Sequence, residues 1–140
     1  MERKFKTWIT PHNKEFFRLF PHIKSETNVE LALNAAKECN ISILLKGANS
    51  IIVDNKKAWQ LCGTDSQTAR AGLGDLLSGF IAGSSAIDLT FCRNITTDFF
   101  AKYVLLHSFA ASKSQNGSNA SAIGDELSKL MRNKKMRQIS

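Results

Sequence analysis

The sequence predicts an α/β fold, on three observations. An apolar run from Ile41 to Leu45, broken only by the small Ser42, has the length and composition of a strand buried on both faces. It follows directly on a segment of helical period, marked by Val29, Leu31, Ala32, Ala35 and Ala36. Two short strand-like segments then meet at Asn55-Lys56, and from Gly72 onward the pattern is helical.

Each element has its own signal. Phe5 to Thr10 alternates, with Phe5, Thr7 and Ile9 on one side and Lys6 and Trp8 on the other, and Pro11 closes the strand. Asn13 to Phe20 reads as a short helix with Asn13 as N-cap and Pro21 as stop. Thr27 or Asn28 caps the next helix, which runs to about Cys39. The apolar strand, taken as far as Lys46, ends at Gly47, and Ser50 to Asp54 pairs with Lys57 to Cys62 as a hairpin. Gly63 to Ala71 lacks periodicity and reads as a loop. A helix from Gly72 to Ala86 turns Leu76, Leu77, Phe80 and Ile81 inward, and two more, about Thr96 to Ser112 and Asn119 to Asn133, follow across a polar link.

With 140 residues, 43% of them hydrophobic and 22% charged, the chain suits one globular domain, 1–140, with a real core. Its apolar runs fall far short of a membrane span, and Met1-Glu2-Arg3-Lys4 leads into no signal-like stretch, so a cytoplasmic protein without membrane contact is expected. Cys39, Cys62 and Cys92 are widely separated, which indicates neither a disulfide framework nor a zinc site. His22 and His107 lack Cys, Asp or His partners at ligand spacing, so no metal held by the protein itself is expected. The net charge of +7 is concentrated in a basic tail, about 129–140, where Lys129, Arg132, Lys134, Lys135 and Arg137 stand without an acid. A solvated chain end explains that run without a specific nucleic-acid partner.

The chemistry gathers at Ala69-Arg70-Ala71-Gly72-Leu73-Gly74-Asp75. A Gly-x-Gly turn opening a helix lets backbone N–H groups approach a phosphate, helped by the helix dipole. Asp75, on the first turn, is placed to accept a proton from a hydroxyl attacking the phosphate held there. A tightly packed, capped helix start explains the same residues without any ligand. Likewise His12 serves as a loop residue capping a helix, Lys46 as a solvated strand end, and Glu15 as a charge favouring a helix N-terminus.

Three ordered segments resemble the NAD(P)H-hydrate dehydratase family of the ribokinase-like superfamily. Thr10-Pro11-His12-Asn13-Lys14-Glu15 resembles its T-P-H-P-G-E segment, Lys46-Gly47-Ala48-Asn49-Ser50 its K-G-x-x-T/S segment, and residues 69–79 its A-x-x-G-S/T-G-D-V-L-x-G segment. The stretch from Tyr103 through His107 to Ala111 resembles the helix that packs behind the family's site. The resemblance covers only the C-terminal half of the family's domain. It implies a partial three-layer α/β/α ribokinase-like fold with an exposed sheet edge where the front half is absent.

The resemblance also implies an activity: dehydration of hydrated NADH or NADPH, driven by ADP or ATP with Mg2+, in which the hydroxyl is phosphorylated and phosphate then eliminated. Asp75 is implied as the catalytic base and as a contact to the hydrated cofactor, beside His12. Lys46, Gly47, Ala48, Asn49, Ser50 and Gly74 are implied to hold the nucleotide, and the amides of Ala71, Gly72, Leu73 and Gly74 to form an anion hole. Three departures stand out: Leu73 replaces a hydroxyl residue, Asn13-Lys14 replaces Pro-Gly, and Arg70 replaces a small residue. Alternative readings at this stage are a nucleotide-binding half that needs a separate N-terminal-half chain or a homo-oligomer, a non-catalytic remnant, and a small-molecule kinase of the same superfamily.

Overall fold

A computed structural model describes residues 6–62, 72–91, 94–114 and 119–137, residues 133–137 by backbone alone. Phe5, Cys92, the loop expected over 63–71 and most of the link before the last helix lie outside the described residues. The elements are β1 (Trp8–Ile9), α1 (Asn13–Leu19), α2 (Asn28–Cys39), β2 (Ser42–Leu45), β3 (Ser50–Val53), β4 (Ala58–Leu61), α3 (Leu73–Thr90), α4 (Thr97–Lys113) and α5 (Ala120–Arg137). They fall into two compact units, one of residues up to 62 together with 95–101, the other of 72–91, 94 and 102 onward.

The first unit is built on a four-stranded sheet of order β1-β2-β3-β4. β1 runs parallel to β2, with Trp8 opposite Ser42 and Ile9 opposite Ile43, while β2, β3 and β4 form an antiparallel meander. The Asn55-Lys56 turn is fixed by Asp54, whose Oδ1 accepts the amides of Lys56 and Lys57 at 2.8 and 2.9 Å. That is the local geometry expected where an aspartate starts a turn.

Alternation along the strands sorts the core. Ile9, Ile43, Leu45, Ile51 and Val53 meet α1 and α2 through Phe16, Phe20, Leu31, Ala32, Ala35 and Ala36. Small alanines on α2, fully buried, let that helix lie close to the sheet. On the other face Trp8 stacks on Phe100 of α4, with ring centroids 3.6 Å apart. The first turn of α4 is clasped there by Asp98, whose Oδ1 accepts from Lys57 Nζ at 2.7 Å and Trp59 Nε1 at 2.6 Å. Helical residues therefore cover both faces of the sheet within this unit, as the predicted α/β/α layering requires.

In the second unit Leu73 of α3, Ala110 and Ala111 of α4, and Ile123 and Leu127 of α5 form a helical core. Phe80 meets Tyr103 edge to face at 5.3 Å. α3 runs four residues past the predicted end at Ala86, because its buried stripe of Leu73, Leu77 and Ile81 continues through Ser84 and Asp88. α5 carries the start of the basic run, with its backbone helical to Arg137 and Lys129 paired with Glu126 at 2.6 Å. No helix among the described residues is long and apolar enough to cross a membrane.

The hydrogen bonds from Lys57 and Trp59 hold the Asp98 carboxyl below its ordinary value of 3.8. A lowered folded-state value stabilises the fold above the unfolded value, and that contribution is lost as pH falls through the folded one. Asp98→Asn is therefore expected to lower the melting temperature at neutral pH. The difference from the parent chain should shrink toward about pH 2, which thermal melts across pH will check.

Candidate functional site

The site begins where two parallel strands end. The Lys46 amide donates to the Pro11 carbonyl at 2.8 Å, and His12 still bridges to Lys46 in parallel register beyond the named strands. The carboxyl ends of parallel strands are where open α/β sheets characteristically take ligands. The sequence-predicted residues His12 and Lys46 are thus neighbours, although 33 positions of chain lie between them.

This pairing also corrects the expected start of α1. His12, not Asn13, is the N-cap: its bridge to Lys46 keeps it extended, at φ −85 and ψ 171, and helical geometry starts at Asn13, one residue earlier than an Asn13 cap would give. His12 Nδ1 accepts the Glu15 amide at 3.2 Å, and Glu15 Oε2 accepts the His12 amide at 2.8 Å. That is a reciprocal capping box with histidine in the place usually taken by Ser or Thr. A ring accepting through Nδ1 carries its proton on Nε2. The His12 backbone N–H, followed by the positive charges of Lys46 and Arg18, lowers the Glu15 carboxyl below its ordinary value.

Beyond Lys46 the chain turns through Gly47, Ala48 and Asn49, all exposed, into buried Ser50, whose hydroxyl donates to the Gly47 carbonyl at 3.4 Å. A cleft of about 460 Å³ opens beside this turn. Its walls are residues 46–49, Asn13, the first turn of α2 at Thr27, Asn28 and Val29, and Gln60 of β4. Its volume lies in the range of small-molecule sites. A Cβ built on Gly47 would meet nothing closer than the Asn49 carbonyl at 3.8 Å, so the fold itself has room for a side chain there. Ser50 faces inward, and only its neighbours in the segment line the cleft.

Gly72, Leu73, Gly74 and Asp75 occupy the first turn of α3, in the second unit. Gly72 is the N-cap at φ +83, a conformation that favours glycine. It offers no side-chain acceptor to the helix amides. The other helices differ: His12, Thr27, Thr96 and Asn119 each accept an amide of the first turn through a side chain. Leu73 turns into the helical core at 5% exposure, Gly74 is half-buried, and Asp75 is exposed. The residue in the family's hydroxyl position thus serves packing through its side chain. Ala71, with Ala69 and Arg70, lies outside the described residues.

Two features escaped sequence reasoning. His107 is buried on α4 with no partner for Nε2, and burial lowers its pKa. His22 pairs with Glu38 across 2.8 Å, a contact 16 residues apart in sequence that no local pattern marks. Among the described residues no three His, Cys, Asp or Glu side chains gather as metal ligands.

Solved structures share this architecture. An ADP/ATP-dependent NAD(P)H-hydrate dehydratase from Bacillus subtilis, co-crystallised with ATP and Mg2+, superposes with a TM-score of 0.74 at 22% identity, over 95% of this chain and 50% of that one. A ribokinase-like superfamily protein from Enterococcus faecalis gives 0.77 at 24% identity, over 95% and 47%. The fold is therefore that part of a ribokinase-like α/β domain which about half of such a chain makes up.

Sequence comparison narrows the class. The family model for NAD(P)H-hydrate dehydratase matches residues 1–133, and the chain belongs to that family. A bifunctional NAD(P)H-hydrate repair enzyme from Synechocystis is 37% identical over 82 residues, 58% of this chain and 16% of that protein. The ADP-dependent (S)-NAD(P)H-hydrate dehydratase of Nitrosopumilus maritimus is 36% identical over 78 residues, 54% of this chain and 27% of that protein.

Replacing the cap tests its energetic role. His12→Ala is expected to cost about 1 kcal/mol and His12→Asn to restore most of it, since asparagine is a strong N-cap. Denaturant unfolding of the two variants will check this.

Proposed function

We propose that this chain is the nucleotide-holding part of an ADP- or ATP-dependent dehydratase acting on hydrated NADH or NADPH. The carrying observation is that residues 46–49, in a chain belonging to this family, line the cleft at the ends of β1 and β2. Lys46 supplies positive charge, and the turn through Gly47, Ala48 and Asn49 to Ser50 supplies backbone groups for the nucleotide. His12, with its proton on Nε2, serves the hydrated cofactor.

In this reading the amides of Ala71, Gly72, Leu73 and Gly74 form the anion hole and Gly74 also touches the nucleotide. A helix start with no side-chain cap suits that work, because its amides face no competing acceptor from Gly72. The exposed carboxylate of Asp75 takes the proton from the cofactor's hydroxyl as that oxygen bonds to the terminal phosphorus and the nucleotide's bridging oxygen departs. Elimination then breaks the carbon–oxygen bond, phosphate leaves with the electron pair, and loss of a ring proton restores the double bond.

Mg2+ belongs with the nucleotide phosphates. Magnesium keeps several waters and takes one or two carboxylates plus phosphate oxygens, so the nucleotide itself would supply much of its coordination. Since the chain spans about half the length of its solved relatives, a complete pocket calls for further polypeptide, an N-terminal-half chain or a homo-oligomer. A cytoplasmic location goes with this reading.

Calorimetric titration of the folded chain with ADP and then ATP, each with magnesium, is expected to show saturable binding. Gly47→Ala should keep the melting temperature while weakening that binding, because the added methyl has room in the fold yet sits on a residue that lines the cleft. A folded chain that binds neither nucleotide overturns the reading. In an assembly that turns over, Asp75→Asn is expected to abolish activity and leave nucleotide affinity nearly unchanged, and full turnover would refute the base assignment.

A further inference from the structure

We propose that Gln60 selects the base of the nucleotide, its carboxamide pairing with the N6 and N7 edge of an adenine ring seated in the cleft beside the Lys46 turn. The register of the sheet brings it there. Leu45 pairs with Ile51 and Ile51 with Gln60, so the three side chains form one row across β2, β3 and β4 on the face that α2 covers. Leu45 and Ile51 are buried, as that face requires, whereas Gln60 is exposed at the end of the row. Among the described residues no group hydrogen-bonds its carboxamide. The same holds for Asn13, Asn28 and Asn49 around the cleft, while elsewhere Asn40 pairs with Asn55 and Asn119 caps α5.

The lining fixes the ligand chemistry. Val29, Leu45 and Ile51 give the cleft an apolar surface, and Lys46 gives it a positive charge. Gln60 stands two strands from Leu45, about 10 Å across the sheet. The cleft thus suits a flat heteroaromatic ring on its apolar surface, joined to an anionic group near Lys46. A carboxamide offers an acceptor and a donor side by side. Adenine presents the matching pair, the N6 amine as donor and N7 as acceptor. Guanine presents two acceptors along that edge, O6 and N7, so one end of the glutamine amide goes unmatched whichever way it turns. Selection then comes from what the wrong base leaves unpaired. The inference rests on the reading of this cleft as the nucleotide site.

Calorimetric titration of the intact chain with ADP, GDP and 7-deaza-ADP, each with magnesium, tests this. ADP is expected to bind at least about ten-fold tighter than GDP, and tighter than 7-deaza-ADP, which lacks the N7 acceptor. Gln60→Leu, at an exposed position, should leave the circular dichroism unchanged and bring ADP down to the affinity of GDP. Gln60→Arg, whose donors match the two guanine acceptors, should invert the preference. ADP binding that Gln60→Leu leaves unchanged, or an ADP-to-GDP ratio that neither variant alters, overturns the inference and leaves the nucleotide reading standing. A folded chain that binds neither ADP nor GDP overturns both.

Discussion

Every residue of β2 and β3 is buried, and a strand pair with no face left to water has to be covered twice. Burying an Ile, Leu or Val side chain contributes roughly 1.5–3 kcal/mol, but only if something apolar lies against it. On one face the cover is α2, brought close by Ala32, Ala35 and Ala36, with Phe16 and Phe20 of α1 filling the remaining space. On the other it includes the Trp8 and Phe100 stack. The ladder needs a partner on each side as well, and β1 and β4 provide them. Because β2 is parallel to one neighbour and antiparallel to the other, its carboxyl end sets Lys46 against Pro11 on one side and starts the cleft-lining turn on the other.

The helix starts divide by what their amides meet. Side-chain oxygens or a ring nitrogen close four of them, each worth about 1 kcal/mol to its helix. α3 starts on a glycine held at positive φ and forgoes that gain. Leu73 offsets part of the loss by anchoring the first turn in the helical core. The same replacement that removes a hydroxyl from the family's motif thus strengthens the packing that holds the turn in place.

Much of this was legible because the signals were local. The both-faces-buried strand, the Asn55-Lys56 hairpin and the Thr27 cap came out within a residue or so, each dictated by a pattern a few residues long. Phe5 to Thr10 promised a longer strand than the two-residue β1, since alternation cannot say how far a neighbour will pair. Both His12 and Asn13 read as possible caps of α1, and the choice between them depends on the bridge to Lys46, which neither segment shows. The last turn of α3 was not legible because polar Ser84 and Asp88 carry its buried stripe, and an apolar period does not register them. Of the candidate site, the segments were readable from their motifs, but the register that makes His12 and Lys46 neighbours is not written in either segment.

The clasp between α4 and the sheet joins residues far apart along the chain. Asp98 meets Lys57 and Trp59 across 41 and 39 positions, and Ile95 meets Lys6 across 89. The meander and α2, by contrast, are made of near neighbours. Loops that long must close before their contacts return any free energy, so local pairing has the kinetic advantage. During synthesis the sheet is complete before its last cover exists: Trp8 waits for Phe100, which leaves the ribosome only after the whole of α3. A product shortened before residue 95 would keep its hairpins and lose that cover, leaving two tryptophans on the surface of a sheet with an open edge.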